Sequence, residues 1–247
     1  MMLEVQDLVV THPKGTAPAL NGIALKVKRG EKVAILGASG AGKTTLFRAI
    51  SGFLPIRSGT IAVDGSAVNG LRGKHLRALR RRIGMISQRH DMVDRLKVYQ
   101  NVMAGALGRW STVHALRFLA HPLASELAEA EHALEKVGLA HKLRARTAAL
   151  SGGEHQRVAI ARALIQQPLI LLADEPIASL DPALSRQILD LLCGLAHEAG
   201  FTLICSLHQP EFAYEYFDRV IKMTAGNIES DGLPPDRTPI QGVEVGA

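Results

Sequence analysis

The sequence predicts an α/β protein with a mostly parallel core sheet, an N-terminal antiparallel β layer and a helical insertion. Three observations predict it. The run "KVAILG" passes through "ASGAG" into "KTTLFRAISGFL", whose apolar residues are spaced for a helix, so the order is strand, glycine-rich loop, helix. The runs "PLILLADEP" and "FTLICSLH" flank the helical "ALSRQILDLLCGLAHEAG", the pattern of a β-α-β unit with parallel strands. From about residue 95 to 165 the apolar positions recur at i, i+3 and i+4, as in "ASELAEAEHALEKVG".

Taken in order, "LEVQDLVV", "IALKVK", "KVAILG" and "TIAVDG" are short apolar or alternating runs punctuated by Gly and Pro, which predicts a β-rich layer over the first 65 residues. Next, "LRGKHLRALRRRIG" gathers Arg72, Lys74, Arg77, Arg80, Arg81 and Arg82. Such a cluster suits anionic lipid or nucleic acid, or is a solvated helix face. No aromatic residues are interleaved to stack on bases, which favours the solvated face. "IGMISQ" is a buried-strand candidate ending at Gln88, after which the helical stretch begins. "RVIKMTAGNIESDG" reads as a closing hairpin across Ala225, Gly226 and Asn227. The expected organisation is one domain over residues 1–232, with a core of about 1–88 and 166–232 and an insertion of about 89–165. The Pro-rich, polar tail from 233 to 247 is expected to be poorly ordered.

At 247 residues the chain is long enough to bury a full core without covalent staples. Cys193 and Cys205 sit in apolar contexts with no metal or redox spacing. Both read as small core residues in a reducing compartment, and no disulfide is expected. The start "MMLEVQDL" lacks a basic segment followed by an apolar one, and nowhere do 18 apolar residues run uninterrupted. The expectation is a cytoplasmic chain that does not itself span a membrane. Net charge is +6, from 29 basic and 23 acidic residues.

The stretch Gly37, Ala38, Ser39, Gly40, Ala41, Gly42, Lys43, Thr44, Thr45 matches G-x-x-x-x-G-K-[ST] between a strand and a helix. Glycines let the main chain wrap close to phosphates, Lys43 reaches the β- and γ-phosphates, and the Thr44 hydroxyl ligates Mg²⁺. Alone, the pattern could be a structural glycine turn. "LILLADEP" removes that reading by delivering two adjacent carboxylates to a strand end: Asp174 to help hold Mg²⁺, often through water, and Glu175 to polarise the water attacking the γ-phosphate. Together the motifs define a P-loop nucleotide hydrolase. No N-K-x-D motif occurs at any asparagine, so ATP rather than GTP is the expected nucleotide. A second grip follows in "LSGGEHQRVAIARAL", where Ser151, Gly152, Gly153 and Glu154 run directly into a helix and would point backbone N–H groups and a positive helix end at an anion.

With "LSGGE" in view, the sequence resembles the ATP-binding cassette ATPases that power membrane transporters. The resemblance spans about residues 3–232 and follows the order "GASGAGKTT", Gln88, "LSGGE", "LLADEP", "SLD" (Ser179–Asp181) and His208. It implies a head-to-tail homodimer in which the Ser151–Gly153 turn of one copy closes on the γ-phosphate held by Lys43 of the other. It also implies that Gln88 senses Mg²⁺ and water while linking the insertion to a transmembrane subunit. Asp181 would shape the dimer seam, and His208, otherwise an ordinary strand-end histidine, would hold the γ-phosphate and Glu175. Glu154 stands where the family usually has Gln, and His12 where an aromatic residue usually stacks on adenine. The nine histidines other than His208 are expected at the surface.

On a finer scale, "LRRRIGMISQRHDMVDRLKVYQNVMAGALGRWST", "PIASLDP" and "LHQPEFAYEYFDRV" look like the ATPase subunit of bacterial phosphonate importers and of relatives importing phosphite or hypophosphite. That likeness implies two transmembrane permease subunits, an indirect link to a periplasmic solute-binding protein and a peripheral position on the cytoplasmic face of the inner membrane. No nucleic acid is expected. The apolar content of "NVMAGALGRWST" would suit a groove receiving a helix of the membrane subunit, though core packing explains Trp110 as well. Other readings are an importer ATPase for another small solute, a soluble cassette acting on nucleic acid or ribosomes, and a small-molecule kinase. The last would leave "LSGGE" without a purpose.

Overall fold

A computed structural model describes residues 1–11, 17–87 and 92–235 of the chain. In order, its strands and α-helices are β1 (Leu3–Thr11), β2 (Pro18–Val27), β3 (Lys32–Leu36), α1 (Lys43–Ile50), β4 (Ser58–Val63), β5 (Ser66–Ala67), α2 (Gly73–Arg82) and β6 (Ile83–Ile86). Four helices follow: α3 (Val98–Met103), α4 (Thr112–Ala120), α5 (Ala124–Glu135) and α6 (Gly152–Ile165). The chain then returns to the sheet with β7 (Ile170–Asp174), α7 (Pro182–Ala199), β8 (Thr202–Leu207), α8 (Pro210–Tyr216), β9 (Arg219–Thr224) and β10 (Asn227–Gly232).

The strands form two sheets. The N-terminal one has four strands in the order β2-β1-β4-β5, all antiparallel. The other has six, β10-β9-β3-β8-β7-β6, parallel except for β10. The period-two alternation of its strands decides what lies on each face. Val33, Ile35, Ile170, Leu172 and Ile204 turn toward the antiparallel sheet and α1, packing with Leu3, Val5, Leu46 and Phe47. Ala34, Leu36, Leu171, Ala173, Leu203, Cys205 and Leu207 face the opposite layer, where α6, α7 and α8 cover them. A sheet covered on both faces needs strands that are apolar throughout, as β7 and β8 are.

Sheet register sets the geometry of the site. Leu36 pairs with Leu207 and Asp174 with Ser206, so the chain leaves β3, β7 and β8 at the same sheet edge. Gly37, Glu175 and His208 are each the next residue or two along. The closing hairpin turns on Ala225 and Gly226, with φ of 45° and 78°, while Asn227 already belongs to β10. Two left-handed residues make the tight turn that suits strand twist, which is why it is one residue shorter than expected. Gly226 N–H donates to Ala41 O at 3.0 Å and Asn21 N–H to Gly226 O at 2.9 Å, tying the hairpin and the antiparallel sheet to the Gly37–Thr45 loop.

Other expectations are refined. Cys205 is buried and Cys193 half-buried; both are free, and burial pushes the Cys193 thiol up to about 11. The basic α2 is more than a solvated face. Arg80 lies over the Phe53 ring at 3.9 Å and donates to Ser51 O and Gly52 O at 3.1 and 2.9 Å, satisfying carbonyls at the end of α1. Among the described residues, no helix is long and apolar enough to cross a membrane.

At the α4–α5 junction His114, expected at the surface, is 38% exposed at its side chain and has partners there. His114 stacks on Trp110 at 4.3 Å between ring centroids, and its Nε2 is 2.6 Å from Glu126 Oε1. Glu126 is 8% exposed at its side chain, is gripped by Arg117, and accepts Leu123 N–H at 2.8 Å. Arg117 first, with help from the Leu123 amide and His114, holds this carboxyl at about 2, below its ordinary 4.5. Because the folded pKa is depressed, the stabilisation is present above 4.5 and is lost as pH falls through that value toward 2. Glu126→Gln is expected to cost about 1–3 kcal/mol at neutral pH, discounted for the partial exposure of Arg117. Urea unfolding at pH 7 and pH 3.5 should show the gap to the parent narrowing at the lower pH.

Candidate active site

The Gly37–Thr45 loop leaves β3 and runs into α1 through Gly42, whose φ of 104° is closed to other residues without strain. A Cβ there would also stand 2.9 Å from Leu20 and 3.0 Å from Ala19 O. The Lys43 ammonium bonds back to Gly37 O at 2.6 Å and Ala38 O at 3.2 Å, so it lies inside the loop's curve. Burial pulls the Lys43 pKa down, and Glu175 and Asp174 work against that pull. The loop encloses a cavity of about 320 Å³ lined by Ala19, the residues Ser39–Thr45 and Glu175.

Of the two adjacent carboxylates at the end of β7, Glu175 lines this cavity. Glu175 Oε1 is 3.6 Å from Lys43 Nζ and 2.6 Å from His208 Nε2. Glu175 itself has φ of 51°, a left-handed backbone that costs energy in a non-glycine residue and is concentrated at functional sites. Ser206 fixes it there: its Oγ accepts Glu175 N–H at 2.9 Å and donates to Asp174 Oδ1 at 2.7 Å. Asp174 is only 4% exposed. Sequence reasoning missed Ser206, although a lone serine in the apolar run "TLICSLH" two residues before His208 was its available signal. The Thr44 hydroxyl and the Asp174 carboxylate are oxygen donors of the kind Mg²⁺ uses when phosphate oxygens complete its shell. These residues therefore fit the ion.

The second grip is built at the start of α6. Ser151 caps the helix: its Oγ accepts Glu154 N–H at 3.3 Å, while Glu154 Oε2 accepts Ser151 N–H at 2.8 Å. Lys142 Nζ sits 3.0 Å from Glu154 Oε1. The Ser151 amide, first in cause, and Lys142 hold the Glu154 carboxyl at about 2. Gly153 presses on α7, where a Cβ would meet Leu184 at 2.8 Å. Leu184 N–H in turn donates to Asp181, the cap of α7, at 2.9 Å. Ser151 and Asp181 thus begin two helices that touch, whereas none of Ser151–Glu154 lines the Lys43 cavity. His12 and Gln88 lie outside the described residues.

The apolar residues of "NVMAGALGRWST" divide between core and surface, with Leu107 53% exposed. Val102, Met103 and Ala106 turn into the core, and Trp110 packs against it. Ala104, Gly105 and Gly108 are left flooring two adjoining cavities of about 450 and 480 Å³ walled by Arg77, Arg80, Arg81, Arg82 and Arg109. Among the described residues, Arg77 and Arg81 form no ion pair.

A phosphate-wrapping loop, a carboxylate pair at the adjoining strand end and a serine-capped helix facing elsewhere define the ATP-binding cassette class. The family model described as ABC transporter matches residues 20–178, and the chain belongs to that family. Among curated relatives it is 42% identical to phosphonates import ATP-binding protein PhnC 2 of Halalkalibacterium halodurans, over 96% of each chain. It is 44% identical to phosphonates import ATP-binding protein PhnC of Frankia casuarinae, covering 92% of this chain and 89% of the relative. Of solved structures, CbiO1 of Clostridium perfringens, part of the ABC transporter complex CbiONQ, matches with TM-score 0.82 and 34% identity over 95% of this chain and 89% of that one. The dimeric bacterial cassette MJ0796 matches with TM-score 0.82 and 29% identity over 94% and 98%.

Proposed function

We propose that the protein is the ATP-hydrolysing subunit of an importer for phosphonate or an allied anion such as phosphite or hypophosphite. The observation that carries the enzymatic part is the convergence of Lys43, Glu175 and His208 at a cavity lined by the Ser39–Thr45 loop. ATP binds with its phosphates in the Gly37–Thr45 loop, and Lys43 exchanges its two carbonyl partners for phosphate oxygens. Thr44 and Asp174 would hold Mg²⁺, with Gln88 reaching the same ion; it supplies charge neutralisation on the phosphate oxygens. Glu175 accepts a proton from the attacking water, and His208 keeps that carboxylate aimed. Ser151 of a second copy closes the site, and Asp181 lines the seam between the copies. His12 is the proposed adenine platform, where stacking is worth about 1–3 kcal/mol.

The protein itself acts at the inner face of the membrane without crossing it. The basic groove between α2 and Ala104–Gly108 supports docking of a permease helix that carries an acidic side chain, because Arg77 and Arg81 line it and form no ion pair among the described residues. The names of the PhnC relatives support the cargo. Reconstitution with its permease and solute-binding protein in vesicles tests it: ATP-driven uptake of labelled methylphosphonate is expected, blocked by Glu175→Gln. Uptake of neither methylphosphonate nor phosphite, with ATP turnover intact, overturns the cargo reading.

A further inference from the structure

The second grip carries a charge that its task should not tolerate. A turn that receives a triphosphate gains from every N–H it offers and loses from any fixed anion beside it. Here Glu154, the third residue of α6, is such an anion, since its carboxylate is bonded to the amide of Ser151, the residue that meets the phosphate. Its second oxygen is taken by Lys142, which ends the short helical turn Ala140–Lys142 leading on from α5. The two side chains are 31% and 24% exposed, so the pair is screened only in part. Both Glu154 oxygens are thereby engaged, one by a backbone amide and one by an ammonium, and the Ser151 hydroxyl keeps its proton free to donate while it accepts from Glu154 N–H.

From this arrangement we infer that Lys142 is a positioning residue for ATP hydrolysis: it cancels the Glu154 charge beside the turn that receives the neighbouring copy's γ-phosphate. The inference rests on the two-copy site proposed above. Glu154 orients Ser151 through the capping box, and Lys142 makes that carboxylate compatible with an incoming anion. A pair that served stability alone would lower fold stability in either single variant and leave the ATP concentration needed for dimerisation unchanged. A counter-charge behaves asymmetrically: removing the cation leaves a bare anion beside the phosphate, and removing the anion leaves nothing to cancel.

The test is a set of variants assayed for ATP turnover, for ATP binding by the monomer and for ATP-driven dimerisation in a Glu175→Gln background. Lys142→Met is expected to lower kcat/KM about three- to tenfold and to raise the ATP concentration needed for dimerisation by a similar factor, with monomer binding unchanged. The defect should shrink as salt is raised. Lys142→Arg should retain activity, and Lys142→Met/Glu154→Gln should recover from the Lys142→Met level to that of Glu154→Gln alone. Equal losses in Lys142→Met and Glu154→Gln with no recovery in the double variant would overturn the inference, as would an unaffected Lys142→Met. If the Glu175→Gln protein with Lys142 intact stays monomeric in ATP, it is the two-copy site that fails.

Discussion

Glu175→Gln is expected to bind ATP with Mg²⁺, form a stable dimer and release phosphate at least about 10²-fold more slowly than the parent. The expectation follows from what the substitution leaves in place. Gln has the size of Glu, so the left-handed backbone at this position and the Ser206 bond to its amide persist. The Gly37–Thr45 loop and the Ser151 turn are untouched. What is lost is the ability to accept a proton, together with the negative charge 3.6 Å from Lys43. Removing that charge also frees Lys43 for phosphate, so nucleotide affinity should hold or rise. Sedimentation with and without ATP, set beside phosphate release, reads both halves. A monomer at saturating ATP, or turnover within tenfold of the parent, would count against Glu175 as the base and against the sandwich it closes.

Much of this site was legible in the sequence because its parts are contiguous. Gly37–Thr45 is one loop, Asp174 and Glu175 are neighbours, and each motif ends an apolar run whose strand character is evident. Their meeting was legible only in outline, since it depends on a register, Leu36 with Leu207 and Asp174 with Ser206, that no local pattern states. The partners of Ser206, Lys142 and Arg80 were hidden for the same reason. Each acts on a residue 12 or more positions away, Arg80 on the carbonyl of Ser51, Lys142 on Glu154, Ser206 on Asp174. A long-range contact leaves no periodicity to read. At Ala104–Gly108 composition was legible but facing was not: a run rich in apolar residues does not say which of them face inward, and here the core takes Val102, Met103 and Ala106 while Leu107 stays exposed beside glycine and arginine.

The second large effect is a divergence between two substitutions that ought to look alike if both loops held one nucleotide. Lys43→Ala is expected to lose about 10- to 100-fold in ATP affinity, because a charge-assisted contact to phosphate is removed from a nearly buried site. It also removes the ammonium that lies 3.6 Å from Glu175. Ser151→Arg should leave monomer binding within about twofold, since none of Ser151–Glu154 lines the cavity that Lys43 occupies. Turnover should nevertheless vanish. A long cationic side chain at the cap of α6 keeps the neighbouring copy's phosphate from reaching the turn, and losing the serine cap costs about 1 kcal/mol of helix stability besides. Nucleotide titration of both variants, followed by sedimentation in ATP, separates the roles: Lys43→Ala fails at binding, whereas Ser151→Arg binds and fails to dimerise. Equal loss of binding in both would mean that the two loops hold the same triphosphate within one chain. The reason for two phosphate grips in a single sequence would then have to be sought inside the monomer rather than across a seam.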